Sequence, residues 1–234
     1  MGKTIEKLAI EQGHEILLRI DKDNVADLNK KGLKDIDVAI EFTNPDAAFG
    51  NVRICIENKV PVISGSTGWY DKMEALKILA LKNKTGFFHT SNFSIGVNIF
   101  RIINKQLAQI MNQYPMYKIA IEEIHHTEKI DAPSGTAVML ANEIISNNNS
   151  KNKWVINTSD LNEEISIVSK REGNARGTHI IEYTSPIDKI IIKHEAFSRA
   201  GFALGAIKAA EFIVNKIGFY NMTDLISLKG KSDK

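Results

Sequence analysis

One cysteine in 234 residues, Cys55, excludes an internal disulfide. Within the apolar run VRICIENKV it reads as a small buried hydrophobe in a reducing cytoplasm. No apolar run reaches the roughly 20 residues that a bilayer span requires, so no membrane role is expected. The opening MGKTIEKLAIEQGHE is charged from its first turn and lacks a signal-peptide core. Glu6 stands where a myristoylation signal needs Ser or Thr. An excess of one charge is missing too. The formal net charge is +2, with no basic block beyond the terminal KGKSDK, which argues against nucleic acid as a partner. Repeats are absent, and SNNNSKNK is the one low-complexity stretch. What remains is an ordinary composition, 43% apolar and 25% charged, enough for one large domain or two small ones.

The first half alternates apolar strands with helices. Residues 4–12 read as a helix stopped by Gly13, and EILLRI (15–20) as a strand ending at Asp21-Lys22. DVAIEF (37–42), VPVIS (60–64) and 86–89 read as further strands, with helices over 47–58 and 71–82. This alternation predicts a doubly wound parallel sheet. The pattern then changes. A helix over 98–111 is expected to turn Ile99, Ile103, Leu107 and Ile110 inward. Strands follow at 117–124, 165–170, 178–184 and 189–194, with one helix over 136–145. That predicts an α+β second domain on a mixed sheet. A last helix, 205–216, is expected to return to the first domain with Ala206, Ala210, Ile213 and Val214 on one face.

A dinucleotide fold normally opens with a strand and a G-x-G-x-x-G turn. Here Met1-Gly2 already stands at the first helix, matching only the tail of such a turn. Loss of a central strand would leave buried backbone groups unpaired at about 1–3 kcal/mol each. The expected explanation is a start codon placed too far downstream or a clipped chain. The chain as written is expected to bind NADH more weakly than one extended by that strand.

The segment EEIHHTEKIDAPSGTA (122–137) concentrates chemistry. Neighbouring residues of a strand point to opposite faces, so His125 and His126 do not share one ion, and no metal is expected. Ser134 lacks a nucleophile-elbow context and fits a helix cap. Pro133-Ser134-Gly135-Thr136 opens a helix whose free N–H groups favour an anion. Lys129 adds positive charge, and one histidine can donate a proton while the other binds an oxygen. Together these predict a cationic pocket for a small acidic substrate.

HHxxKxDAPSGTA resembles the signature of dihydrodipicolinate reductase, the bacterial and plant enzyme family of the diaminopimelate–lysine pathway. VAIEFTNP (38–45), SGSTGW (64–69), TSNFSIGVN (90–98), GTHIIEY (177–183) and KHEAFSRAGFALGAIKAA (193–210) stand where the family has similar segments. The resemblance implies a Rossmann-type first domain (1–93 and 203–234) and an α+β substrate and oligomerisation domain (94–202). It implies reduction of 4-hydroxy-tetrahydrodipicolinate, a cyclic dicarboxylate imine, with loss of water, by NADH or NADPH. By motif position His125 resembles the proton donor and Lys129 the second catalytic acid. His126, Gly135 and Thr136 resemble substrate binders. The cofactor is expected at Met1, Gly2, Asp21, Lys22, Gly65, Ser66, Thr67, Thr90, Ser91, Asn92 and Phe93. An acid at Asp21 favours ribose hydroxyls, and Lys22 attracts a 2′-phosphate, so either cofactor is expected to serve. The Phe93 ring packs either near the nicotinamide or in the core. Trp69 is assigned to the cofactor loop or the core, Arg199 to the domain interface, and His89 and His179 to structure. A cytoplasmic homotetramer is implied. The alternatives are another NAD(P)-dependent reductase of a small carboxylic acid, or a non-catalytic remnant that binds dinucleotide poorly.

Overall fold

The computed structural model describes residues 1–226; the terminal KGKSDK, and the end of the first domain as drawn to residue 234, lie outside the described residues. The chain forms two compact units, Met1–Asn98 with the segment from Ala200 onward, and Ile99–Arg199.

In the first unit, α1 (Gly2–Glu11) is followed by β1 (Ala39–Glu41), α2 (Pro45–Glu57), β2 (Val62–Ser64), α3 (Met73–Asn83) and β3 (Gly86–His89). The segment from Ala200 adds α6 (Ala200–Ile213), β9 (Gly218–Tyr220) and α7 (Met222–Ile226). The strands run parallel in the order β1-β2-β3-β9. Every residue of β2 and β3 is buried, as expected when helices cover both faces of a parallel sheet. Val62 and Phe87 join the cluster that holds Val52, Ile56, Leu76 and Ala80 of α2 and α3. Ile63 and Phe88 join Ile5 and Ala9 of α1 and the Ala203–Ile213 face of α6. This is the doubly wound arrangement. Helix α2 begins two residues before the expected Ala47. Asn44 accepts from the Ala47 amide at 3.0 Å, and Pro45 stands at the first turn, where its missing N–H costs nothing.

Residues 15–20 do not form the expected strand: among the described residues they enter no ladder. The segment still alternates, with Ile16, Leu18 and Ile20 half-buried and Leu17 and Arg19 exposed. Its side-chain pattern is that of a strand, but among the described residues no strand pairs with it, and β1 stands at one edge of the sheet.

In the second unit, β4 (Lys118–His125), α5 (Gly135–Asn147), β5 (Lys153–Ile156), β6 (Glu164–Arg171), β7 (Thr178–Thr184) and β8 (Lys189–Glu195) follow α4 (Ile95–Met111), whose first turn belongs to the first unit. The sheet order is β5-β6-β4-β7-β8; β4, β5 and β6 are parallel, and β7 and β8 antiparallel to their neighbours. Strand β5 was hidden behind the polar run before it. Ile119 and Ile121 of β4, Ile165 and Ile167 of β6, and Ile181 and Tyr183 of β7 pack with Ala137, Leu140 and Ile144 of α5.

Helix α4 corrects one expectation. Ile99, Ile103 and Ile110 are exposed, while Leu107 packs against the core as expected; the face turned inward carries Phe100, Asn104, Ala108 and Met111. The inward stripe contains a polar residue, which disguised it. Asn104 is tolerated there because its side-chain amide donates to the Leu140 carbonyl at 3.2 Å.

Candidate active site

The rows that build the second core turn polar at one end. On β4 the inward sequence Ile119, Ile121 continues as Glu123 and His125, following the two-residue period. On β6, Ile165 and Ile167 continue as Ser169 and Arg171. On β7, Tyr183 and Ile181 lead to His179 and Gly177. Ladder pairing sets Glu123 between Ser169 and His179, and His125 opposite Arg171. Five chemically active side chains therefore meet where the N-terminus of α5 begins.

Glu123 is fully buried. Its Oε2 contacts Nδ1 of His125. Its Oε1 accepts from Arg171 at 3.0 Å and from the Ser134 amide at 3.3 Å. Burial pushes the Glu123 carboxyl up, but Ser169, the Arg171 guanidinium and His125 outweigh it and hold it below the usual carboxylate range. Burial lowers the pKa of His125; Glu123 pulls it back in part, while Lys129 and Arg171 lower it further. Burial and the neighbouring His125 push His179 down to about 4, so it is neutral at physiological pH. The rings of His125 and His179 meet edge to face at 5.2 Å.

Ser134 caps α5, accepting from the Ala137 amide at 3.2 Å, and its Oγ lies 3.3 Å from His179 Nε2. The expected capping role is therefore what the structure has. Gly135 is exposed, and a side chain there would meet nothing within 4 Å, which leaves open space at the helix start. Thr136 and His126 are half-buried on either side of the same loop. Lys129 pairs with Asp131 Oδ1 at 2.6 Å. Arg171 also donates to the carbonyls of Lys129 at 3.3 Å and Asp131 at 2.7 Å, tying the loop to β6. His179, assigned to structure beforehand, belongs to this cluster; Glu123 and Arg171 were not singled out at all. Glu123 had a readable signal, its place two residues before His125 on one strand.

Glu123, His125 and His179 each offer a ligand atom, all within 4.8 Å of one another. The Arg171 guanidinium already supplies the positive charge that a cation would bring to Glu123. The Lys129 ammonium adds positive charge close to both imidazoles, which disfavours a further cation there.

In the first unit, Gly65–Thr67 and Thr90–Phe93 of the expected cofactor residues fall at the carboxyl ends of β2 and β3, the edge where open α/β sheets bind ligands. Ser66 is buried and donates to Glu41 Oε1 at 2.8 Å, while its carbonyl accepts from Trp69 Nε1 at 2.8 Å. His89 Nε2 lies 3.0 Å from the same carbonyl. Trp69 thus serves both the loop and the core. Glu41 also accepts from Ser64 and from both the amide and hydroxyl of Thr43, so one buried carboxylate pins two strand ends. Thr67 and Ser91 are left exposed, and Thr90 Oγ1 accepts from the Asn92 amide at 3.2 Å. Gly65 lies so close to Phe42 that an added Cβ would sit 2.2 Å from its ring. Met1 and Gly2 stand at the start of α1, and Asp21 and Lys22 form an exposed turn in which the Lys22 amide donates to Asp21 Oδ1 at 2.7 Å. The Phe93 ring is a core group, buried and stacked on Phe88 at 5.8 Å. Only its backbone is left for a cofactor.

A helix-flanked parallel sheet is the architecture of a dinucleotide-dependent oxidoreductase, and comparison with known proteins places the chain in that class. The chain belongs to the dihydrodipicolinate reductase family: the family's N-terminal region matches residues 1–93 and its C-terminal region residues 96–226. It is 44% identical to the 4-hydroxy-tetrahydrodipicolinate reductase of Christiangramia forsetii, over 97% of this chain and 94% of that one. With the enzyme of that name from Thermosipho africanus it shares 35% identity over 97% and 93%. Among solved structures, the dipicolinate-bound dihydrodipicolinate reductase from Paenisporosarcina sp. TG-14 superposes with a TM-score of 0.66 at 25% identity, over 82% of this chain and 74% of that one.

Proposed function

We propose that the chain reduces 4-hydroxy-tetrahydrodipicolinate with loss of water, using NADH or NADPH, in the diaminopimelate–lysine pathway. The observation that carries this reading is the Glu123–His125 pair beside the open start of α5. A cyclic dicarboxylate needs two anion seats and a proton source. The amides of Gly135 and Thr136 supply one seat, with His126 beside them. The Lys129 ammonium supplies the other, after exchange with the exposed Asp131. His125 supplies the proton from Nε2. The binding of dipicolinate by a relative supports a substrate with two carboxylates.

The hydroxyls and amides of Gly65, Ser66, Thr67, Thr90, Ser91 and Asn92, the backbone of Phe93, and Asp21, Lys22, Met1 and Gly2 would hold the dinucleotide. Their chemistry fits it: small donors at strand ends for phosphate and ribose, and a carboxylate with an adjacent cation for the adenosine ribose. Hydride comes from the reduced nicotinamide when it is bound. The protein's own part is to orient the dicarboxylate and deliver one proton. The chain acts as a homotetramer in the cytoplasm.

Enzymatically generated substrate, added with NADH or NADPH to the purified chain, tests the reading. Cofactor oxidation that saturates with the dicarboxylate supports it. Cofactor binding without any dicarboxylate-dependent oxidation would refute it.

A further inference from the structure

As the proton donor, His125 must present one particular ring nitrogen to the substrate. Imidazole has two, and a ring free to turn would present either. Here every element around the ring constrains it. Nδ1 faces Oε2 of the fully buried Glu123. His179 from β7 meets the ring edge-on. Gly177, at φ +134°, leaves the space beside Nε2: an added Cβ would come within 3.2 Å of that atom. Glu123 is itself held. Arg171 from β6 and the Ser134 amide both donate to its other oxygen. A buried carboxylate with one oxygen neutralised and the other turned to an imidazole nitrogen is an orienting device.

We infer that Glu123 is a positioning residue for the reaction: it fixes Nδ1 of His125, so that Nε2 alone is presented to the substrate, and Arg171 keeps the carboxylate in register. The inference rests on the assignment of His125 as proton donor. In the step itself the Nε2–H bond of the imidazolium breaks and the proton passes to the departing hydroxyl, which leaves as water. The ring is left neutral, with its remaining proton on Nδ1 directed at Glu123. The charge of Glu123 favours the imidazolium, while Lys129 from the loop and Arg171 from β6 oppose it; His179, with His194 of β8 near it, stays neutral.

The test uses Glu123→Gln in the full chain, with His125→Gln in parallel. Glu123→Gln keeps the shape of the side chain and removes its charge. It should lower kcat about 100-fold while leaving KM for the dicarboxylate and cofactor affinity within about threefold, a split that general unfolding does not produce. The pH limb governed by His125 should move to lower pH, since the group that favours its protonated form is gone. Glu123→Asp should recover part of kcat. Nitrogen-15 spectra of the histidines in the wild-type protein should show neutral His125 protonated on Nδ1. Unchanged kcat and pH profile in Glu123→Gln, with activity lost in His125→Gln, would overturn this inference and leave the proton-donor reading standing. Full activity in His125→Gln would remove that reading itself. Should Glu123→Gln fail to fold, the wild-type spectra decide: His125 protonated on Nε2 in its neutral form would overturn the inference.

Discussion

The Lys129 ammonium donates to Oδ1 of Asp131 at 2.6 Å, so the cation assigned to a substrate carboxylate already has a partner. Asp131 is largely exposed, and surface ion pairs of this kind contribute only about 0–1 kcal/mol. On the proposed function, a substrate carboxylate would displace Asp131 at small cost. Asp131→Asn should lower KM for the dicarboxylate by up to about fivefold and leave kcat unchanged. Steady-state kinetics check this; a raised KM would mean that Asp131 places Lys129 and does not compete for it.

Gly177 combines a left-handed backbone with a close approach to His125 Nε2. Gly177→Ala should displace the ring by a few tenths of an ångström and strain the backbone, at about 1–3 kcal/mol. The expected result is a roughly tenfold loss of kcat together with a lowered melting temperature. A destabilised variant with wild-type kcat would show that the glycine serves the turn alone.

His179 gives stability a pH dependence of definite sign. Its folded pKa of about 4 lies below the ordinary 6.5. Between those values the unfolded chain takes up a proton that the folded one refuses, so stability falls as pH drops from about 6.5 to about 4 and levels off below that. The full effect is about 3 kcal/mol. Glu123, with its lowered pKa, adds a loss of the same sign at still lower pH. Urea unfolding across this range should show a shallower slope in His179→Gln than in the wild type. Equal slopes would place the acid sensitivity elsewhere.

Gly205 sets the approach of α6 to the segment between β3 and α4. An added Cβ would lie 1.7 Å from the Phe93 carbonyl oxygen, which is backbone and cannot swing aside. Gly205→Ala should therefore cost about 1–3 kcal/mol, measured by thermal unfolding. A neutral result would show that α6 can slide.

How much of this could be read beforehand varies with the range of the interaction. Helix α5 and strands β3 and β7 follow from local signals: Ser134 as a cap, and short apolar runs between polar turns. His125, Lys129 and Gly135 stand out in the sequence because the motif gathers them within eleven residues of chain. Arg171 does not, because it reaches Glu123 across 48 residues and only through the parallel register of β4 with β6. His179 depends likewise on the antiparallel register with β7. The stripe on α4 was misread because a helix with two apolar faces does not say which one finds a partner. Asn104, satisfied by the Leu140 carbonyl, marks the buried face. Residues 15–20 carry a strand's alternation without a ladder, and alternation alone cannot supply the neighbour.

The most direct measurement is steady-state oxidation of NADH with enzymatically generated 4-hydroxy-tetrahydrodipicolinate, in the wild type and in His125→Gln, with NADH affinity measured on both by calorimetry. The predicted result is dicarboxylate-dependent turnover in the wild type and a loss of roughly two to four orders of magnitude in the variant, at equal NADH affinity. Wild-type turnover in His125→Gln, or cofactor binding with no dicarboxylate-dependent turnover in the wild type, would contradict it.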